Sequence, residues 1–200
     1  MFETIFIILL LFFIVIYNYK YNYKVSVKYI TAYDTKSYLV NDLPDAQKAA
    51  DTLAKIMEII NKLVDNIVED YTNNKIDNDD KKYINNIKII KERLPYVIIS
   101  ENLANSEFTS YSVNKGEELV FCIRDRKKYG IQPINELLYV AIHEIAHIGC
   151  PEIGHTKIFH DINIYLLKKA IQYNLYRYID YNMDNKEYCG MTLTTTILNN

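Results

Sequence analysis

The sequence predicts an α+β fold in which a short mixed sheet and a hairpin pack on a central helix, preceded by an N-terminal membrane helix. Three observations support this prediction. Segments with strand-like alternation and segments with helical periodicity follow one another along the chain. An apolar stretch without helix breakers leads into His-Glu-Ile-Ala-His at residues 143–147. An apolar and aromatic run fills residues 5–17.

The N-terminal run predicts a membrane anchor at residues 1–21. Residues 5–17 alone are short for a span, which needs roughly 17–25 residues, but the flanking Met, Phe and Tyr residues bring the segment close to that length. A cleaved signal peptide is the alternative, and it would require a basic start and a small-residue cleavage site. Glu3 stands at the start and tyrosines follow the run, so the sequence favours a retained anchor.

The charges that flank this run predict its orientation. Lys20, Lys24 and Lys28 follow the run, whereas Glu3 precedes it. Because positively charged flanks stay on the cytoplasmic side, we expect a single-pass membrane protein with its C-terminal domain on the cytosolic side.

Composition excludes some classes of function. The net charge of −2 argues against a strongly cationic nucleic-acid-binding protein. The three cysteines, Cys122, Cys150 and Cys189, are an odd number without a C-x-x-C pair, which does not resemble a disulfide framework. A reducing compartment is therefore the simpler expectation.

The chain after the anchor divides into two predicted parts. Residues 22–94 are predicted to pack on the core, as an extended segment at 22–40 and amphipathic helices at 44–70 and 81–93. Residues 95–200 are predicted to form the core itself.

The core begins with strand signals. Residues 96–100 read as a strand, and residues 109–113 and 119–123 read as a hairpin, with Asn-Lys-Gly at 114–116 as its turn. An edge strand just before the central helix can hold an extended peptide through backbone hydrogen bonds.

The central helix carries a candidate metal site. Pro133 suits its first turn, and residues 137–142 are apolar. His143 and His147 are four residues apart and lie on one helical face, so both imidazoles can reach one metal ion. Glu144 can reach a water molecule beside that ion. The alternative is a buried helix whose histidines only satisfy hydrogen bonds, which is disfavoured because three polar groups would be buried within five residues.

A third ligand follows the helix. Glycines and a proline at residues 149–154 end the helix, and His155 is predicted to open a second amphipathic helix. A catalytic zinc needs three protein ligands and one open position, which His143, His147 and His155 would supply. Cys150 is a weaker candidate ligand. His160 is five residues beyond His155 and is predicted to lie on the surface or beside a ligand.

Two blocks of sequence resemble a known family. Residues 114–124, with Asn-x-Gly leading into Leu-x-Phe-x-Ile-Arg, resemble the N-x-G-x-x-I-x-L-R-L-R strand of the WLM/SprT-like zinc metallopeptidases, with Cys122 where Arg is usual. His-Glu-x-x-His at 143–147, followed by His155-x-x-x-Phe159, is similar to the family's H-E-L-A-H…H-G/D-x-x-F. With Tyr-Cys-Gly-Met at 188–191, these blocks resemble a membrane-anchored version found in large DNA viruses.

The resemblance spans about residues 95–190 and implies a zincin-like domain, a Zn²⁺ cofactor and endopeptidase activity on protein or peptide substrates. His143, His147 and His155 would hold the metal, and Glu144 would be the general base. A related zincin pattern takes an acidic third ligand, for which Asp161 and Glu187 are available.

Relatives of this family cut proteins crosslinked to DNA. This chain differs from them in its predicted membrane anchor and in showing no basic tail or accessory zinc module, so we expect neither a DNA-repair role nor clear direct nucleic-acid binding. The rival class is a non-enzymatic membrane-tethered scaffold with a structural zinc site, whose fourth position Cys150 would close.

Overall fold

The computed structural model describes residues 2–21, 26–103, 106–127 and 130–199. Within these residues the chain is a mixed α/β protein with five helices and a mixed sheet. The helices are α1 (Phe2–Tyr21), α2 (Ala46–Thr72), α3 (Ile84–Arg93), α4 (Ile134–Gly149) and α5 (Lys157–Gln172). The strands are β1 (Val27–Thr31), β2 (Ser37–Asn41), β3 (Ile98–Glu101), β4 (Tyr111–Val113), β5 (Glu118–Phe121), β6 (Lys186–Tyr188) and β7 (Met191–Leu193). Short 3₁₀ turns occupy Lys81–Tyr83, Leu94–Tyr96 and Ile197–Asn199.

The predicted membrane helix at residues 1–21 is corrected by this structure. Over the part of the chain that is described, no helix has both the length and the apolar character that crossing a bilayer requires. The continuous apolar run of α1 ends with residue 17, whereas a span needs about 20 such residues. The predicted single-pass topology, with the C-terminal domain on the cytosolic side, is corrected with it. Lys24, used for that orientation, lies outside the described residues.

The main sheet has the strand order β1-β2-β3-β5-β4. Its centre is parallel, because β3 pairs in parallel with both β2 and β5, while β1 and β4 are antiparallel at the two edges. The predicted hairpin is therefore β4–β5, and β4 is an edge strand. Strands from both sides of residue 94 share this sheet, and the division into parts at that residue stays a prediction.

The helices bury their apolar faces against one another and against the sheet. The long helix α2 follows the predicted periodicity and buries Leu53, Ile60 and Ile67, among others, in one continuous core. The helix α4 is buried on most sides. At its end, Gly149 lies so close to α3 that a Cβ would come within 2.8 Å of the Ile90 side chain. Only glycine permits this approach of α3 to α4.

The turn of the β4–β5 hairpin packs directly on the end of α4. Asn114, Lys115 and Gly116 all have positive φ, with Gly116 at 96°. A Cβ on Gly116 would lie 2.6 Å from the Ile148 side chain. This contact fixes the edge strand alongside the helix that carries the His-Glu-x-x-His sequence.

The cysteines depart from the sequence-based expectation. Cys122, just after β5, and Cys189, in the β6–β7 turn, form a disulfide across 67 residues of sequence, and Cys150 is free and buried. The number and spacing of the cysteines did not indicate this pair, because its two members lie far apart in sequence and come together only in the folded chain. The β6–β7 hairpin was not predicted either, since residues 180–200 have little hydrophobic periodicity.

Candidate metal centre

The helix α4 delivers two of the predicted metal ligands. His143 and His147 are separated by one helical turn, and their ring centroids lie 5.1 Å apart. Ala141, Ile142, Ile145 and Ala146 around them are buried, which fixes this part of the helix. The imidazoles of His143 and His147 therefore project from a well-packed part of α4.

The third predicted ligand lies in the connection after α4. We expected His155 to open a helix, but α5 begins at Lys157 and Thr156 is its N-cap residue. Gly154, with φ of 83°, turns the chain back, and His155 Nε2 then lies 2.9 Å from His143 Nε2. One ligand atom from each of the three histidines lies within 4.8 Å of the other two.

Two residues of α5 support the imidazoles. The buried Phe159 ring stacks on His147, with centroids 4.1 Å apart, and meets the rings of His143 and His155 at 4.9 Å. The buried side-chain amide of Asn163 lies 3.4 Å from His143 Nδ1. An amide rotated to present its oxygen would accept the Nδ1 proton and leave the Nε2 lone pair facing the cluster.

Burial sets the protonation state of the two α4 histidines. It lowers the pKa of His143 to about 3, with further lowering by His147, His155 and His160. Burial also lowers the pKa of His147 to about 4, with a smaller effect of His155. Both rings are therefore neutral near pH 7, which is the form that binds metal ions.

Glu144 lies between the two histidines in sequence and is 6% exposed. Burial raises the pKa of its carboxyl group to about 7. Its side chain lines the same cleft as the three histidines. A carboxyl group with such a pKa can both accept and release a proton near neutral pH.

The alternative ligands are placed elsewhere. Cys150 is buried outside the histidine cluster. Asp161 pairs with Lys157 and Glu187 pairs with Lys127, and neither belongs to a candidate metal group among the described residues. His160 is exposed, with its ring 6.2 Å from that of His155.

The cluster lies in an open cleft of about 920 Å³. One wall is the start of β4 and the β4–β5 turn, the second is α4, and the third is the β6–β7 hairpin, which contributes Tyr188, Met191 and Leu193. The sequence suggested a position over the cleft for the Tyr-Cys-Gly-Met stretch at residues 188–191, and Tyr188 and Met191 line the cleft.

A pair of hydroxyl groups joins the hairpin to the edge strand. Tyr188 Oη lies 2.5 Å from Ser110 Oγ, which also accepts a hydrogen bond of 3.0 Å from the Cys122 N–H. Burial raises the pKa of Tyr188, so its hydroxyl stays protonated at neutral pH. The Cys122–Cys189 disulfide also restrains Tyr188, which directly precedes Cys189 in the chain.

The donor set fits a metal ion. Three neutral imidazole nitrogens that converge from a helix and its following loop suit first-row divalent ions such as zinc better than Mg²⁺ or Ca²⁺, which prefer oxygen ligands. The three histidines can therefore form a metal site.

These features define the chain as a mixed α/β protein with a candidate three-histidine metal site in a cleft beside an edge strand. The chain belongs to the family of the uncharacterized protein R325 of Acanthamoeba polyphaga mimivirus, to which it is 39% identical over 163 residues, covering 82% of this chain and 80% of that protein. No protein-family model matches the sequence.

Two further viral proteins are similar to this chain over shorter stretches. The uncharacterized protein 136R of Invertebrate iridescent virus 6 is 39% identical over 69 residues, which cover 34% of this chain and 38% of that protein. The uncharacterized protein 042R of Invertebrate iridescent virus 3 is 33% identical over 97 residues, which cover 48% and 51%. A crystal structure of a Wss1 mutant from Saccharomyces cerevisiae is 19% identical, covers 48% of this chain and 86% of that chain, and superposes with a TM-score of only 0.35.

Proposed function

We propose that this chain is a zinc-dependent endopeptidase of protein or peptide substrates, with His143, His147 and His155 as metal ligands and Glu144 as general base. The observation that carries the proposal is a buried carboxyl group next to three converging imidazoles in an open cleft. Zn²⁺, when bound, would supply Lewis-acid chemistry that polarises a peptide carbonyl and lowers the pKa of water.

The residues of the chain itself would position the substrate and move the proton. The edge strand β4 lines the cleft and can hold an extended peptide by backbone hydrogen bonds. Glu144 would accept a proton from the attacking water and return it to the leaving amine. The resemblance of residues 114–124 and 143–159 to the WLM/SprT-like peptidases supports the same assignment.

A purely structural zinc site is less well supported. Structural sites normally close the fourth position with Cys or His. Cys150 is buried away from the cluster, and His160 is exposed. A general base beside the ligands also has no purpose in a structural site.

Substitution of Glu144 by Gln tests the proposal. We expect Glu144→Gln to retain one zinc per chain and to lose at least about 10²-fold in cleavage of an unfolded protein such as casein, because the proton acceptor is removed while the ligands remain. Zinc content is measured by elemental mass spectrometry and cleavage by peptide mapping.

The matched control is Glu92→Gln, an exposed glutamate of α3 that does not line the cleft. It should cleave at the wild-type rate, and a chelator should abolish cleavage in both active proteins. Wild-type activity of Glu144→Gln would disprove the assignment of the base. A wild-type protein that binds no zinc and cleaves nothing would disprove the proposed function.

A further inference from the structure

The two ends of the cleft differ in chemistry. The end at the β4–β5 turn is lined by the polar or charged Asn114, Lys115 and Glu152, together with the exposed Ile153. The other end is lined by four large apolar or aromatic side chains: Tyr139, Val140, Met191 and Leu193. We call these four residues the apolar end.

The apolar end lies immediately beside the proposed reacting groups. Val140 precedes His143 by three residues and Glu144 by four, so all three share one face of α4. One helical turn advances about 5.4 Å, which is less than the spacing of two residues in an extended peptide. A substrate side chain next to the scissile bond would therefore reach this end.

The opposite wall of the apolar end is held in place. Met191 and Leu193 are two residues apart on β7 and point to the same side of the hairpin. The hairpin is fastened by the Cys122–Cys189 disulfide, and beyond β7 the Tyr139 hydroxyl donates a hydrogen bond of 3.3 Å to the Thr195 carbonyl. A fixed wall can select among side chains, since a substrate does not have to order it first.

The lack of charged residues among the four side chains of the apolar end disfavours charged substrate side chains there. Apart from Glu144, no charged residue lines it within the described parts of the chain. A charged substrate side chain packed against the apolar end would lose hydration without gaining a counter-charge from any of its four residues. An apolar side chain would instead cover Met191, which is 48% exposed, and gain in proportion to the area buried.

We infer that the apolar end is a specificity pocket that selects a large apolar side chain at one fixed position beside the scissile bond, with Met191 as its most accessible determinant. This inference rests on the proposed peptidase function and adds the substrate class. Selection arises both from burial of the apolar side chain and from rejection of charged ones.

A digest of a degenerate peptide library by the full-length zinc-loaded protein tests the pocket. In the wild-type digest, one position beside the cleaved bond should carry a large apolar residue, and kcat/KM should be at least about 10-fold higher for Leu or Phe than for Lys or Asp there. In Met191→Lys this preference should fall at least about 10-fold, with a shift towards acidic residues, because the new ammonium group faces the same position.

The control is Met183→Lys. Met183 is 87% exposed and does not line the cleft, so the same charge change there should leave the preference unaltered. A wild-type digest without preference at any position next to the cleaved bond would overturn the inference, and so would an unchanged preference in Met191→Lys.

A binding measurement separates this inference from the proposed chemistry. Glu144→Gln, which keeps the cleft, should bind a fluorescent peptide containing central Leu-Phe residues at least about 10-fold more tightly than one with Lys-Lys at those positions. The double variant Glu144→Gln/Met191→Lys should lose that difference. If binding follows this pattern while the zinc-loaded wild-type protein cleaves no peptide, the pocket stands and the hydrolytic function fails. Equal binding of both peptides to Glu144→Gln would overturn the pocket.

Discussion

Asn163 is a residue outside the recognisable pattern that contacts a candidate metal ligand. It is buried on α5, one helical turn beyond Phe159, and its amide lies against His143 Nδ1. Groups that bind the outer nitrogen of a ligating histidine fix its tautomer and its ring orientation. Its only sequence signal is its spacing from Phe159 on the buried face of α5, and that signal is shared by ordinary core residues.

We predict that Asn163→Ala weakens zinc binding about 10–100-fold while the chain stays folded, since the His143 ring loses the group that orients it. Competition with a chromogenic chelator measures the affinity. Asn163→Asp should restore most of it, because a carboxylate also accepts the Nδ1 proton. Equal zinc affinity of the wild-type and Asn163→Ala proteins would show that the amide has no role at the metal.

The β6–β7 hairpin is joined to the rest of the fold by a covalent bond at its turn. It contributes a wall of the cleft, and its own two strands are only three residues long each. A short two-stranded hairpin is marginal by itself. The Cys122–Cys189 disulfide and the Ser110–Tyr188 hydroxyl pair fasten it to the end of β5 and the start of β4.

We predict that Cys122→Ser/Cys189→Ser lowers the free energy of unfolding by about 2–4 kcal/mol, because the bond closes a long loop in the unfolded chain. Thermal unfolding and limited proteolysis near residues 184–193 measure the two effects. A dithiol reductant should lower the Tm of the wild-type protein towards that of the variant and leave the variant unchanged. A wild-type Tm that is insensitive to the reductant would contradict the role given to the disulfide.

Across the whole molecule, residues before 95 contribute to the sheet and the core on which the candidate site is built. The strands β1 and β2 complete the sheet, and α2 contributes eleven buried residues to the core. The buried Arg124 guanidinium, just beyond β5, also pairs with Glu101 at 2.6 Å and with Asp45 before α2 at 2.5 Å. The Arg124 side chain is buried whereas that of Asp45 is 39% exposed, so loss of Asp45 would remove part of the compensation for the buried guanidinium charge.

We predict that residues 95–200 alone do not unfold cooperatively, because they lose this apolar surface and the Asp45 partner of Arg124. Circular dichroism during heating should show a sigmoidal transition for residues 22–200 and a gradual change for residues 95–200. A sharp transition of the shorter fragment would instead support the predicted boundary at residue 94.

The sequence by itself determined the elements that depend on local patterns. The periodicity of α2 and α4, the Asn-Lys-Gly hairpin turn and the one-turn spacing of His143 and His147 could all be predicted, since each follows from neighbours a few residues apart. The same local reasoning failed at residues 1–21, where apolar composition alone predicted a membrane helix.

Tertiary structure decided what depends on residues far apart in sequence. The pairing of Cys122 with Cys189, the contact of Asn163 with His143 and the cleft wall formed by the β6–β7 hairpin each join distant segments. The hydrophobic periodicity of a single segment does not predict such contacts, because they form only when buried faces pack and bring distant segments together.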